Sequence, residues 1–162
     1  MQAQPSTDPF ASVLHAERDF VVGTYGPVFL VIWRIDTTEV GMRRVASLFR
    51  SARLPERVGM LTVVDENATM PSSEARELGA AFLSKNSKRI VASAIAHEGS
   101  GFKAAAVRAV VTGLTMLARQ PFPHKVFPDT DRAASWLCEA KVTGFRLSTA
   151  MLVRHCGALR TA

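Results

Sequence analysis

Apolar residues fall in short runs separated by stretches of helical periodicity, and their alternation sets the order of elements. Residues 20–24 (F-V-V-G-T) and 28–35 (V-F-L-V-I-W-R-I) flank Tyr25-Gly26-Pro27, a turn signal between two strand-like runs. The second run is apolar at nearly every position, the pattern of a strand buried on both faces. Val58–Val64 (V-G-M-L-T-V-V) has the same character. Ile90–His97 alternates instead, with Ile90, Ala92, Ala94 and Ala96 on one face and Val91, Ser93, Ile95 and His97 on the other. A last short strand is predicted over 125–127.

Helices are predicted over 37–52, 73–85, 102–119 and 131–140. In the first, Val45, Leu48, Phe49 and Ala52 share a stripe; in the second, Ala75, Leu78, Gly79 and Phe82 do. The third is apolar almost all round, interrupted by Lys103, Arg108, Thr112 and Thr115, so it calls for cover on two sides. Its second surface fits either the closing helix or a second subunit. The series reads ββαβαβα: a single mixed, mostly parallel sheet of four or five strands, with an N-terminal hairpin and packed helices.

Residues 1–17 read as a flexible lead, and 11–19 as a short helical or irregular approach to the first strand. Residues 18–140 make the α/β domain, and 141–162 a basic amphipathic tail. In that tail Phe145, Leu152, Cys156 and Leu159 share one side, while Arg146, Arg154 and Arg160 lie around another arc. The tail suits covering an open sheet face, binding an acidic partner or touching an anionic membrane, or it is a solvated, disordered end with no partner.

A chain of 162 residues with 48% hydrophobic and 21% charged side chains has the composition of one globular domain. The net charge of +6 is placed unevenly: residues 1–100 balance 11 basic against 11 acidic side chains, whereas 101–162 hold nine basic and three acidic. Neutrality of the first hundred residues, without interleaved aromatic and basic side chains, argues against nucleic-acid binding. Cys138 and Cys156 form no CxxC pair and have no metal-ligand spacing, which fits a reducing compartment. Residues 1–9 lack the basic and apolar regions of a secretory signal, and no apolar run reaches spanning length. A soluble, cytoplasmic protein is expected.

A more specific signal lies at 125–137 (K-V-F-P-D-T-D-R-A-A-S-W-L). Val126 and Phe127 end a short strand, Asp129 or Asp131 caps a helix, and Ala133 or Ala134, Trp136 and Leu137 follow at spacings that face a sheet. This stretch resembles the ending of STAS/SpoIIAA-like domains, in the branch described as SEC14-like. The resemblance implies a regulatory, protein-binding module rather than an enzyme, without a cofactor. In the anti-sigma-factor-antagonist branch a serine at a helix start accepts phosphate, and Ser72 and Ser73 are the counterparts here. Residues 66–71 are inserted between Asp65 and Ser72, and the glycine of that branch's turn is missing.

Read from the residues alone, Ser72 and Ser73 also suit an ordinary helix cap. Glu98-Gly99-Ser100-Gly101-Phe102-Lys103 joins a strand end to a helix start, where glycines let backbone N–H groups approach an anion, or simply make a tight turn. Asp65, Glu66 and Asn67 follow a strand at its carboxyl end, near where α/β sheets bind ligands. Asp65, Glu66, His97 and Glu98 are expected at one edge. They read as solvated loop charges, with a metal or acid–base role as the competing reading. No second histidine stands at ligand spacing, and neither an HExxH motif nor a nucleophile elbow occurs. No catalytic or metal site is predicted.

The resulting expectation is a non-enzymatic regulatory or scaffolding module that binds another protein, with a homodimer as one form and the tail as the only route to a membrane surface. Its contact residues would be Asp65, Glu66, Asn67, Gly99, Gly101, Lys103, Arg146, Arg154 and Arg160, switched by phosphate at Ser72 or Ser73. The alternative is a protein that takes a small apolar or lipid ligand beside the third helix.

Overall fold

The computed structural model describes residues 8–101, 104–109, 112, 120–139, 142 and 146–162. Among them lie six strands, β1 (Ala11–Ala16), β2 (Phe20–Tyr25), β3 (Val28–Trp33), β4 (Val58–Val64), β5 (Ile90–His97) and β6 (His124–Phe127). Four complete helices accompany them: α1 (Glu39–Ser51), α2 (Ser73–Lys85), α3 (Thr130–Glu139) and α4 (Thr149–Arg160). Residues 104–109 and Thr112 are also helical; the rest of the third predicted helix, Lys103 included, lies outside the described residues, as do Phe145 and positions 1–7.

The strands form one sheet in chain order, β1-β2-β3-β4-β5-β6. The first three pair antiparallel and the last four parallel. The hairpin turns at Gly26, whose φ of 52° lies in the left-handed region. The expected alternation of strand and helix is present, and β4, α2 and β5 begin and end at the residues read from the sequence.

Residues 11–16 correct one expectation. They form an edge strand on β2 rather than a helical or irregular approach, with a bulge between Val13 and His15. The strand leaves Val13 53% exposed, so it has no apolar face to announce it, and it forms because β2 offers an open ladder.

The sheet is apolar on both faces because β3 contributes to both. Phe29, Val31 and Trp33 join Phe20, Val22, Met60, Val45, Phe49 and Phe82 in a core beneath α1 and α2. Leu30 and Ile32 join Val21, Leu61, Val63 and the three alanines of β5 in a second core. Leu137, Leu152, Cys156 and Leu159 complete that second core from α3 and α4. The stripe read at Leu152, Cys156 and Leu159 therefore faces the sheet, and α4 rests on β2 and β3. Gly23 permits the approach: a Cβ there would meet the Ser12 carbonyl oxygen at 2.6 Å and Leu159 Cδ2 at 2.9 Å.

At the end of the sheet, Asp129 is the residue that caps α3, accepting from the Arg132 N–H at 2.8 Å. Ala133, Ala134 and Leu137 are fully buried, and Trp136 lies 5.6 Å from the Phe127 ring.

Candidate functional site

Two places concentrate chemistry, one at the carboxyl edge of the parallel strands and one beneath α1 and α2. At the edge, the ladder extends one residue past each strand: Asp65 N–H donates to the Trp33 carbonyl at 2.9 Å, and Glu98 N–H to that of Val64 at 2.9 Å. This fixes the two carboxylates on adjacent strand ends. Thr130 opens α3 and Arg160 closes α4 at the same place.

The Arg160 guanidinium pairs with Asp65 through Nη1, and its Nη2 lies 2.7 Å from Glu98 Oε1 and 3.1 Å from Thr130 Oγ1. Thr130 Oγ1 in turn donates to Glu98 Oε1. Arg34 adds two bonds of 2.9 Å from Nη2 to the carbonyls of Leu159 and Ala162, satisfying orphan acceptors at the end of α4. Burial raises the pKa of Asp65, Arg160 opposes that shift, and Glu98 adds to it. The cluster is therefore a partly buried latch joining two strand ends to two helix ends.

The remaining expected contact residues divide around this latch. Asp65 and Arg160 turn inward, whereas Glu66 and Asn67 are exposed. Glu66 Cγ lies 3.3 Å from where a Gly99 Cβ would stand, so the loops after β4 and β5 touch. Gly99 and Gly101 hold φ values of 121° and 88°, which L side chains rarely adopt. Arg146 and Arg154 are exposed and take no part in the latch's two ion pairs. Ser72 is the N-cap of α2, its Oγ accepting from Ala75 N–H at 3.1 Å, and Ser73 Oγ accepts from Arg76 Nη2 at 3.5 Å.

His97 does not join the carboxylates. Its ring is buried, and burial and the neighbouring Arg108 both lower its pKa. Arg108 Nη1 donates to the carbonyls of His97 and Gly99, at 3.2 and 3.3 Å. Among the described residues no group of three His, Cys, Asp or Glu side chains is placed to hold a metal ion, and no helix is long and apolar enough to cross a membrane.

The second place is a cavity of about 220 Å³ on the α1/α2 face. Its floor is the parallel sheet itself: Val31 of β3, Met60 and Thr62 of β4, Ser93 and Ile95 of β5, and His124 of β6. Met60, Ser93 and His124 are register partners across three adjacent strands, so their side chains form one row on one face. Met42 and Val45 of α1 and Phe82 and Leu83 of α2 make apolar walls, and Met70, Pro71 and Arg76 stand at the loop before α2 and its first turn.

His124 is the anomaly of this surface. Both ring nitrogens are buried and have no hydrogen-bond partner among the described residues, and burial lowers the ring's pKa. The sequence carried a faint signal of the cavity: Thr62 and Ser93 are polar positions inside strand runs that are largely apolar.

No protein-family model matches the chain, and no curated protein does. Among solved structures it is similar to the crystal structure of an uncharacterized protein from the DUF3478 family, with a SpoIIAA-like fold, from Shewanella loihica PV-4. The likeness covers 79% of this chain and 94% of that one, at 17% sequence identity and a TM-score of 0.47. It concerns overall arrangement; the architecture given above rests on this chain's own strand order and register.

Proposed function

We propose that this chain is a non-enzymatic binding module that takes a small, largely apolar molecule into the cavity on the α1/α2 face. The observation that carries this reading is the pocket itself, open to solvent on one side, walled by helix side chains and floored by four parallel strands. An apolar cavity of about 150 Å³ already takes up benzene. By proportion, this cavity suits a body of about nine heavy atoms.

Ethylbenzene is a suitable probe. It is expected to raise the thermal midpoint of the protein in a concentration-dependent way, as any ligand of the folded state does. Gly79→Leu sends a side chain into the wall from α2, where an added Cβ meets Met42 Cε at 3.4 Å. That variant is expected to fold and to lose the shift. An unchanged midpoint in the wild type, or an equal shift in both proteins, contradicts the reading.

A second reading, docking of a partner protein, is favoured by two exposed apolar side chains near the same edge. Val40 is 78% exposed and Met70 45% exposed. Thr69 ties their segments together, its N–H donating to the Ile35 carbonyl at 2.7 Å and its hydroxyl to Asp36 Oδ1 at 2.6 Å. In this reading a phosphate at Ser73 would alter the charge beside that surface. Capture of a stoichiometric partner that survives both Val40→Glu with Met70→Glu and Ser73→Asp speaks against it.

A further inference from the structure

We infer that the ligand of the cavity is an amphiphilic anion: an apolar body seated on the sheet, carrying a carboxylate that Arg76 holds at the mouth. This rests on the ligand-binding reading above and adds the charge and orientation of the ligand to it.

The cavity is graded from floor to mouth. Val31, Met60 and Ser93 on the strands are buried, whereas Met70 is half-exposed and Arg76 is exposed. Arg76, Gly79, Ala80 and Leu83 follow at i, i+3, i+4 and i+7, so one face of α2 makes the wall and its first turn brings the guanidinium to the rim. Among the described residues Arg76 is the one lining side chain that is charged at neutral pH, since burial holds His124 neutral, and no carboxylate lines the cavity. An apolar body therefore belongs on the floor. A negative charge belongs at the rim, where it meets a cation and keeps part of its hydration.

Arg76 has no counter-charge of its own. The positions three and four residues away along α2 are Ser72, Ser73, Gly79 and Ala80, none of them acidic. Its one bond among the described residues runs to Ser73 Oγ, at 3.5 Å. Arginines tied into the fold differ: Arg43 has Glu39 at 2.7 Å, and Arg160 has Glu98 at 2.7 Å. Glu74 and Glu77 lie on other arcs of α2 and pair with Arg76 nowhere among the described residues. Exposed Arg44 also lacks an ion pair among those residues, but it does not line this cavity. Position at the rim is what gives Arg76 its role, and the positive end of α2 adds the same sign there.

The test is calorimetric titration of the full chain with ethylbenzene and three relatives that extend it: 3-phenylpropanoate, 3-phenylpropanamide and 3-phenylpropylamine. At low salt the carboxylate is expected to bind about three- to fivefold more tightly than the amide, the worth of a solvent-facing ion pair, and the amine more weakly than either. About 0.5 M salt is expected to bring carboxylate and amide within about twofold. Each comparison is a ratio within one protein, so a change in the general affinity of the cavity cancels. Arg76→Gln is expected to abolish the carboxylate preference, Arg76→Glu to turn it toward the amine, and Arg44→Gln to leave it in place. Gly79→Leu is expected to lose the carboxylate along with ethylbenzene, because the body needs the cavity. The salt titration of the wild type reads the same ion pair with no substitution. Ethylbenzene binding without a carboxylate preference, or tighter binding of the amine, overturns the anionic assignment and leaves the cavity as a ligand site. A preference that survives Arg76→Glu, that is lost equally in Arg44→Gln, or that persists in Gly79→Leu overturns it in the same way. Binding of none of the four overturns the ligand-binding reading and this inference with it.

Discussion

Arg160→Met removes the central cation of the latch while keeping a long apolar stem. In the wild type the guanidinium contacts Asp65, Glu98 and Thr130, and the side chains of the ion pairs are only 24–28% exposed. Breaking a fully buried pair by deleting one partner costs roughly 3–5 kcal/mol. Partial exposure screens the loss, so the expected destabilisation is about 2–3 kcal/mol. The pH dependence carries a sign. Burial already raises Asp65 above its ordinary value, so the folded state binds that proton more readily than the unfolded chain does. The group therefore costs stability in full above its folded pKa, and the cost fades as pH falls from there to the ordinary unfolded value. Deleting Arg160 removes the influence that holds the Asp65 pKa down and raises it further. The deficit of the variant is thus full at neutral pH and shrinks as pH falls through the folded pKa of Asp65 toward the ordinary carboxylate range. Urea denaturation at pH 7 and near pH 4 measures both terms. Adding Asp65→Asn to Arg160→Met is expected to restore about 1 kcal/mol, because it relieves one uncompensated charge. A deficit under about 0.5 kcal/mol, or one equal at both pH values, refutes the latch as described.

Three further outcomes test separate parts of the fold. Gly23→Ala places a Cβ 2.6 Å from the Ser12 carbonyl oxygen and 2.9 Å from Leu159 Cδ2, so β1 or α4 must shift. A loss of about 1–3 kcal/mol in denaturant unfolding is expected, and wild-type stability would contradict the close approach of α4. Ser72→Ala removes the acceptor for the Ala75 N–H and is expected to cost about 1 kcal/mol, checked by the same assay. The Cys156 thiol is 1% exposed and pushed up to about 12 by burial, so a thiol reagent at pH 8 is expected to modify it only when the chain unfolds. Modification of native Cys156 at the rate of an exposed thiol would mean that α4 is not seated on the sheet.

What could be read from the sequence follows from where each signal is stored. β3 and β4 are visible as continuous apolar runs and β5 as an alternation, all local patterns, and so is the boundary of α2 at Ser72, whose hydroxyl works three residues away. The placement of Asp65 and Glu98 on one edge was also legible, since both follow strand ends in a parallel series. Their partner was not. Arg160 lies 95 residues from Asp65 and carries nothing local to distinguish it from Arg146 or Arg154, which face solvent. β1 escaped notice for a related reason: it borrows its pairing from β2 and keeps Val13 largely exposed. The cavity is a property of several elements at once, and its one local trace is the pair of polar residues Thr62 and Ser93 in apolar strands.

The most direct measurement of the central claim is an NMR titration of isotopically labelled protein with ethylbenzene, read residue by residue. Binding in the cavity predicts shifts concentrated at Val31, Met60, Thr62, Phe82, Ser93 and His124, with Leu152 and Cys156 on the opposite face unmoved. An unchanged spectrum at millimolar probe, or shifts centred on α3 and α4, would contradict a ligand site beneath α1 and α2.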